Sequence, residues 1–130
     1  MKPQDTKRCP CRKPGDDVGY DACCGPYHAG RAMPATAAIL MRSRYTAFAR
    51  GDAAYLQATW HPSTRPAQLV LTPGEQWIGL RIREAHEDGD TATVEFVARS
   101  RRDGRVSTLH EISRFRREHG RWLYVDGIIQ

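Results

Sequence analysis

The chain has 130 residues, 40% apolar and 27% charged, and its net charge of +5 comes from seventeen arginines and three lysines set against fifteen acids. That length allows one domain with a modest core plus an appendage, and the composition is that of a soluble globule rather than a disordered chain. No apolar run approaches the ~20 residues a membrane span needs, so a membrane is excluded as a partner.

Residues 1–8 read as a polar leader without the apolar stretch of a secretory signal, so a cytoplasmic location is expected. All four cysteines follow, as Cys9-x-Cys11, an eleven-residue spacer, and Cys23-Cys24. Three chemistries suit them. Four soft sulfur ligands can close a tetrahedral site around one ion, and structural Zn2+ is the commonest occupant of such a site. Two disulfides would have to run between the pairs, since the cysteines within each pair are too close for an unstrained bridge, and a reducing cytoplasm disfavours them. A redox pair lacks the Cys-x-x-Cys spacing at a helix start that lowers a thiol pKa. Zinc leads, with Cys9, Cys11, Cys23 and Cys24 as ligands. His28 is left to an outer shell or the surface, because four cysteines already fill a tetrahedron.

Beyond the linker Arg31–Pro34, a helix is expected from an N-cap at Thr36 to Gly51. Ala37, Leu40, Met41, Tyr45 and Phe48 form its buried stripe, and Arg42, Ser43, Thr46 and Arg50 take its other sides. Asp52 caps a second helix carrying Tyr55, Leu56, Thr59 and Trp60, stopped by Pro62. Residues 63–74 hold at most a short turn around Gln68–Leu71, whose LVL run needs something to pack on.

From Trp77 the period becomes two. Four strands are expected, Trp77–Ala85, Thr91–Ser100, Val106–Arg117 and Arg121–Ile129, joined by turns near Gly89, Gly104 and Gly120. In the first, Ile78, Leu80 and Ile82 share one face with Trp77 opposite. In the second, Ala92, Val94, Phe96 and Ala98 point together. Leu109, Glu111, Ser113 and Phe115 share a side of the third, and Trp122, Tyr124 and Asp126 a side of the fourth. Two helices leading into an antiparallel meander make an α+β domain whose curved sheet wraps the long helix.

The box CPC…CCGPYHAG is similar to the SEC-C motif, the zinc-binding module at the end of the bacterial preprotein-translocase ATPase. With LMRSRYTAFARGDAAYLQATWHPSTRP and HEISRFRREHGRWLYVDG it resembles more closely the YchJ family, over nearly the whole chain. That resemblance implies a SEC-C-like segment over residues 1–33 and an NTF2-like domain, a helical hairpin in a conical sheet, over 34–130. The family spacer, usually GSGKxYxx, is here the longer RKPGDDVGYDA.

Acids alternating with aromatics ill suit a dry core, so the two last strands line either a pocket or a wet face. As a pocket, Glu111, Ser113, Tyr124 and Asp126 form its floor, and Arg44, Tyr45, Trp60 and His61 stand near its mouth. As a sealed cone, Arg44 bridges Glu111 or Asp126 in a buried ion pair. His61, at a helix end before Pro62, also suits a purely structural post.

Three functions follow. An adaptor would dock a protein partner through its zinc segment, helped by Lys7, Arg8, Arg12 and Lys13, with an acidic partner such as the ribosome in range and a homodimer allowed. A small cofactor-free enzyme of the ketosteroid-isomerase or dehydratase kind would draw on Glu111, Asp126, Tyr124 and His61 for catalysis. Nucleic-acid binding would use the zinc box and the arginine-flanked turns, although no aromatics are interleaved with those basic clusters. An open cavity with an unpaired carboxylate separates the enzyme from an adaptor with a sealed cone.

Overall fold

A computed structural model of the chain describes residues 7–130, so the polar leader expected over 1–8 lies outside the described residues as far as position 6. In chain order come a 3-10 turn (Tyr20–Ala22), helices α1 (Gly25–His28), α2 (Ala37–Arg50) and α3 (Ala53–Ala58), and strands β1 (Gln76–Asp88), β2 (Thr91–Arg102), β3 (Arg105–Glu118) and β4 (Arg121–Ile129). The strands form one antiparallel meander, β1-β2-β3-β4, with α2 laid across it. This is the expected α+β architecture. No helix among the described residues is long and apolar enough to cross a membrane.

Local chemistry sets the helix ends. Thr36 Oγ1 accepts the Ile39 N–H at 3.1 Å, and Gly51 closes α2 in the left-handed conformation at φ 75°. Asp52 Oδ1 accepts the Tyr55 N–H at 3.0 Å to start α3. That helix stops two residues short of Trp60, because residues 59–61 leave it to pair with β4: Tyr124 N–H donates to Thr59 O at 2.8 Å and His61 N–H to Tyr124 O at 2.7 Å. Residues 63–75 form no helix or strand, and of the LVL run Leu69 and Leu71 are half-buried beside Phe48 and Trp77 while Val70 is 82% exposed.

Helix α2 departs from a one-sided amphipathic helix. Ser43 and Thr46, expected on its outer sides, are fully buried alongside Leu40, Arg44, Tyr45 and Ala47. The reason is a second layer: the cysteine segment covers the side of α2 that the sheet does not, and Cys9, Cys11 and Cys24 join Leu40, Met41, Phe96 and Trp122 in one buried cluster.

The sheet bends at bulges that reassign two faces. Ala92, Val94, Phe96 and Ala98 all point inward along β2, as the alternation predicts. On β1, however, Trp77 pairs with Ser100 and Gly79 with Arg99, leaving Ile78 as an extra residue. Trp77 therefore turns inward, its ring 5.8 Å from Tyr45, and Ile78 turns out, correcting the expected order. On β4, Phe115 pairs with Tyr124 but Arg114 with Asp126, so Val125 is the extra residue and everything beyond it changes face.

Candidate metal centre and cone cavity

The segment before α2 is built around its sulfurs. Cys9 N–H donates to Val18 O at 2.8 Å and Tyr20 N–H to Lys7 O at 2.9 Å, which fold the long spacer into a hairpin-like loop. Arg12 and Asp16 tie that loop at 3.1 Å. Gly25 suits its place, because a Cβ there would crowd Tyr20 O at 3.0 Å. All four Sγ atoms lie within 4.8 Å of one another. Cys11 Sγ is 3.8 Å from Cys9, 3.6 Å from Cys23 and 3.6 Å from Cys24.

Those spacings test the fit of a metal. Sulfurs bound at ~2.3 Å to a tetrahedral zinc stand about 3.8 Å apart, so the three edges that meet at Cys11 already have the length of such a site. Thiol protons fill the same space poorly. The S–H groups of Cys11 and Cys24 hold the Cys9 thiol well below its usual range, whereas Cys24 is pushed up by its bonds to Cys11 and Cys9 and by burial. A divalent cation would hold all four cysteines as thiolates and remove that competition. The donor set suits a metal ion. Two arginines offset the negative charge such a centre would carry: Arg12 Nε donates to Cys23 Sγ at 3.3 Å, and Arg42 Nη2 to Cys11 O at 3.2 Å.

A polar network fastens the segment to the helices. His28 Nε2–H donates to Ser43 O at 2.8 Å, which leaves Nδ1 to accept from Tyr20 O–H at 2.7 Å. Ser43 Oγ donates to Leu40 O, so Tyr55 O–H donates to Ser43 Oγ at 2.7 Å. Arg50 lies 3.7 Å over the Tyr20 ring, and Cys9 Sγ rests 3.6 Å from Thr46 Oγ1. His28 is thus a strut between segment and helix, four residues from Cys24, a role its sequence position does not announce.

Between α2 and the sheet lies a cavity of about 210 Å³, lined by Met41, Phe48, Trp77, Phe96 and Leu109. Its polar corner gathers Arg44, Tyr45, Trp60, Glu111, Ser113 and Tyr124. Arg44, only 3% exposed, makes no ion pair with a carboxylate among the described residues. Its Nη1 donates instead to Leu56 O at 2.8 Å and Thr59 Oγ1 at 2.6 Å, and the guanidinium sits 4.5 Å over Tyr124 and 5.1 Å over Trp60. Burial lowers its pKa to about 10. Glu111 Oε2 accepts from Ser113 Oγ at 2.6 Å, and its carboxylate lies over Gly127. Burial, then Glu111, push the Tyr124 hydroxyl up to about 12. The expected Arg44–carboxylate seal is therefore absent, and ring faces and a carbonyl hold the cation in its place.

Two expected pocket residues lie elsewhere. Asp126 emerges on the outer face beyond the Val125 bulge and forms a two-point pair with Arg114, 2.6 Å at Nε and 2.5 Å at Nη2, which lowers its pKa. His61 is turned away from the cavity: its Nδ1 meets Ser63 Oγ at 2.7 Å and its Nε2 meets Glu118 Oε1 at 2.8 Å. The cavity-lining aromatics Phe48 and Trp77 and the strut His28 were not among the expected site residues, and only the bulge at Ile78 brings Trp77 in.

Residues 36–127 match the family described as YchJ, middle NTF2-like domain. A UPF0225 protein of Cupriavidus metallidurans is 51% identical over 126 residues, covering 92% of this chain and 86% of its own. One from Streptomyces coelicolor is 52% identical over 126 residues, covering 94% and 95%. The solution structure of a SEC-C motif containing protein from Rhodopseudomonas palustris has a TM-score of 0.83 at 36% identity, over 93% of this chain and 97% of that one. A crystal structure of a SEC-C motif containing protein from Psychrobacter arcticus has a TM-score of 0.79 at 26% identity, over 97% and 84%.

Proposed function

Because the chain belongs to the YchJ-like UPF0225 family, with a SEC-C-type cysteine cluster beside an NTF2-like domain, we propose that it is a zinc-stapled binding protein whose cone receives a small molecule. One observation carries this reading: the cone holds an open cavity in which Arg44 and Glu111 are not spent on each other. The zinc is structural, with Cys9, Cys11, Cys23 and Cys24 as ligands, and it clamps the segment over α2 without meeting the cavity. The protein works in the cytoplasm, where its thiols stay reduced.

Of the four candidate catalytic groups, Glu111 and Tyr124 remain in the cone, and Asp126 and His61 do not. Binding is therefore the primary activity, and among the described residues Glu111 is the carboxylate placed to move a proton should the ligand turn over. The test is an NMR fragment screen on metal-loaded protein. Shifts concentrated at the Trp60, Trp77 and Tyr124 resonances are expected; a screen that moves only surface residues would remove the pocket reading.

A second reading has its own observation. A groove beside the cysteine segment is lined by Arg12, Lys13, Arg42 and Arg81, with Asp16 paired to Arg12 and with Cys11, Leu80 and Ile82 at its base, so its rim carries a net positive charge. It suits the acidic surface of a protein partner, as the adaptor role requires. Crosslinking in lysate that captures an acidic protein, and is lost in Lys13→Glu/Arg81→Glu, supports docking there. Capture of ribosomal RNA instead would assign the groove to nucleic acid, and a dimer on gel filtration that the same variant abolishes would assign it to a second copy.

A further inference from the structure

The charge and shape of the cone narrow its ligand, an inference that rests on the pocket reading above. Among the described residues the cavity lining contains one permanent cation, Arg44, and one carboxylate, Glu111, and its other lining groups are neutral. Arg44 uses Nη1 on Leu56 O and Thr59 Oγ1, and its Nε and Nη2 make no hydrogen bond to a described residue. Glu111 uses Oε2 on Ser113, and its Oε1 likewise makes none. The corner thus offers N–H donors beside a strong acceptor, with no net charge.

An ionic ligand would satisfy one of these groups and leave the other facing a like charge in a poorly solvated recess. A neutral molecule carrying an acceptor next to a donor satisfies both. Its size follows from the volume: 210 Å³ is about seven times the ~30 Å³ share of a water molecule, below the range of drug-sized sites. Phe48, Trp77 and Phe96 form much of the wall, a surface on which a flat ring packs well.

We infer that the cone binds a small, neutral, planar ring compound bearing an amide, with the amide oxygen on Arg44 and the amide N–H on Glu111. Three probes of one shape and three charges test it: benzamide, benzoate and benzamidinium, each titrated into the zinc-loaded full chain and followed by NMR shifts at the cavity residues. Benzamide should bind the unmodified protein roughly tenfold more tightly than either ion, given the cost of burying an unpaired charge. Glu111→Gln leaves Arg44 as the only lining charge and should move the preference to benzoate. Arg44→Met should move it to benzamidinium, and Glu111→Gln keeps the test open if that variant fails to fold. Tightest binding of benzoate or benzamidinium to the unmodified protein, or no gain of benzoate in Glu111→Gln, would overturn the ligand class while leaving the pocket in place. Failure of all three probes to shift any cavity residue would overturn the pocket reading with it.

Discussion

Substituting Gly127 by Ala tests the placement of Glu111 from the opposite strand. Gly127 pairs with Ser113 across β3 and β4, and a Cβ added to it would overlap the Glu111 carboxylate, with even Glu111 Cγ only 2.8 Å away. The backbone at Gly127 has no positive φ, so crowding is the sole objection to a side chain there. Glu111 has to swing away, and the buried Ser113 hydroxyl loses its acceptor at a cost of about 1–3 kcal/mol. Against this, Ala in a strand recovers about 0.5–1 kcal/mol of the conformational freedom Gly loses. The net expectation is a loss of about 1–2 kcal/mol, read from urea unfolding. In a Glu111→Ala background the same substitution should stabilise by about 0.5–1 kcal/mol, so a double-mutant cycle should return the crowding cost itself, a coupling of about 1–3 kcal/mol. Equal effects of Gly127→Ala in both backgrounds would refute the position of the Glu111 side chain, and with it the polar corner of the cone.

Three further expectations can be checked directly. Purified protein should carry one zinc per chain by elemental analysis, and Cys9→Ser should destabilise the fold by about 2–4 kcal/mol against about 1–2 for Cys23→Ser, because Cys9 is wholly buried against Thr46 and Cys23 is not; chemical denaturation ranks the two. In the zinc-loaded protein Arg12→Ala should speed alkylation of Cys23 by roughly tenfold, since the guanidinium N–H that occupies a lone pair of the metal-bound sulfur is gone, and iodoacetamide labelling with peptide mapping reads the site. At alkaline pH the fold should weaken between about pH 10 and 12. Burial pushes Tyr45, Tyr55 and Tyr124 up to about 12, so the stability they contribute is complete below pH 10 and is lost as pH rises through 12, whereas the lowered pKa of Arg44 works the other way. Three groups outweigh one; thermal melts that hold steady across that window would contradict the burial of these tyrosines.

What was legible in the sequence had local causes. Thr36, Gly51 and Asp52 act on neighbours within a turn, and the alternation Ala92, Val94, Phe96, Ala98 has no extra residue in it, so these elements follow from pattern alone. The cysteine box is equally local. Bulges are another matter, because one added residue leaves no mark where both candidates for a face are apolar. Trp77 and Ile78 trade places that way, and beyond Val125 the parity of Trp122 and Tyr124 no longer applies to Asp126. Ser43 and Thr46 read as solvent-facing because the layer that buries them comes from residues far earlier in the chain. For Arg44, charge complementarity selects an acid, yet two ring faces and a helix-end carbonyl supply its surroundings at less cost in desolvated carboxylate.

The bulged strands are also the two outermost strands of the sheet. β1 has irregular register at Ile78 and again at Arg83, and β4 at Val125, while residues 59–61 lie along β4 with their own hydrogen bonds to Tyr124. A straight row of unpaired amides and carbonyls is what recruits a neighbouring chain into a growing sheet. Neither margin of this sheet offers one: the first is kinked twice, and the second is kinked and partly occupied. The irregularities that shape the cone thus also work against fibril-like stacking by extension of the ladder in a crowded cell.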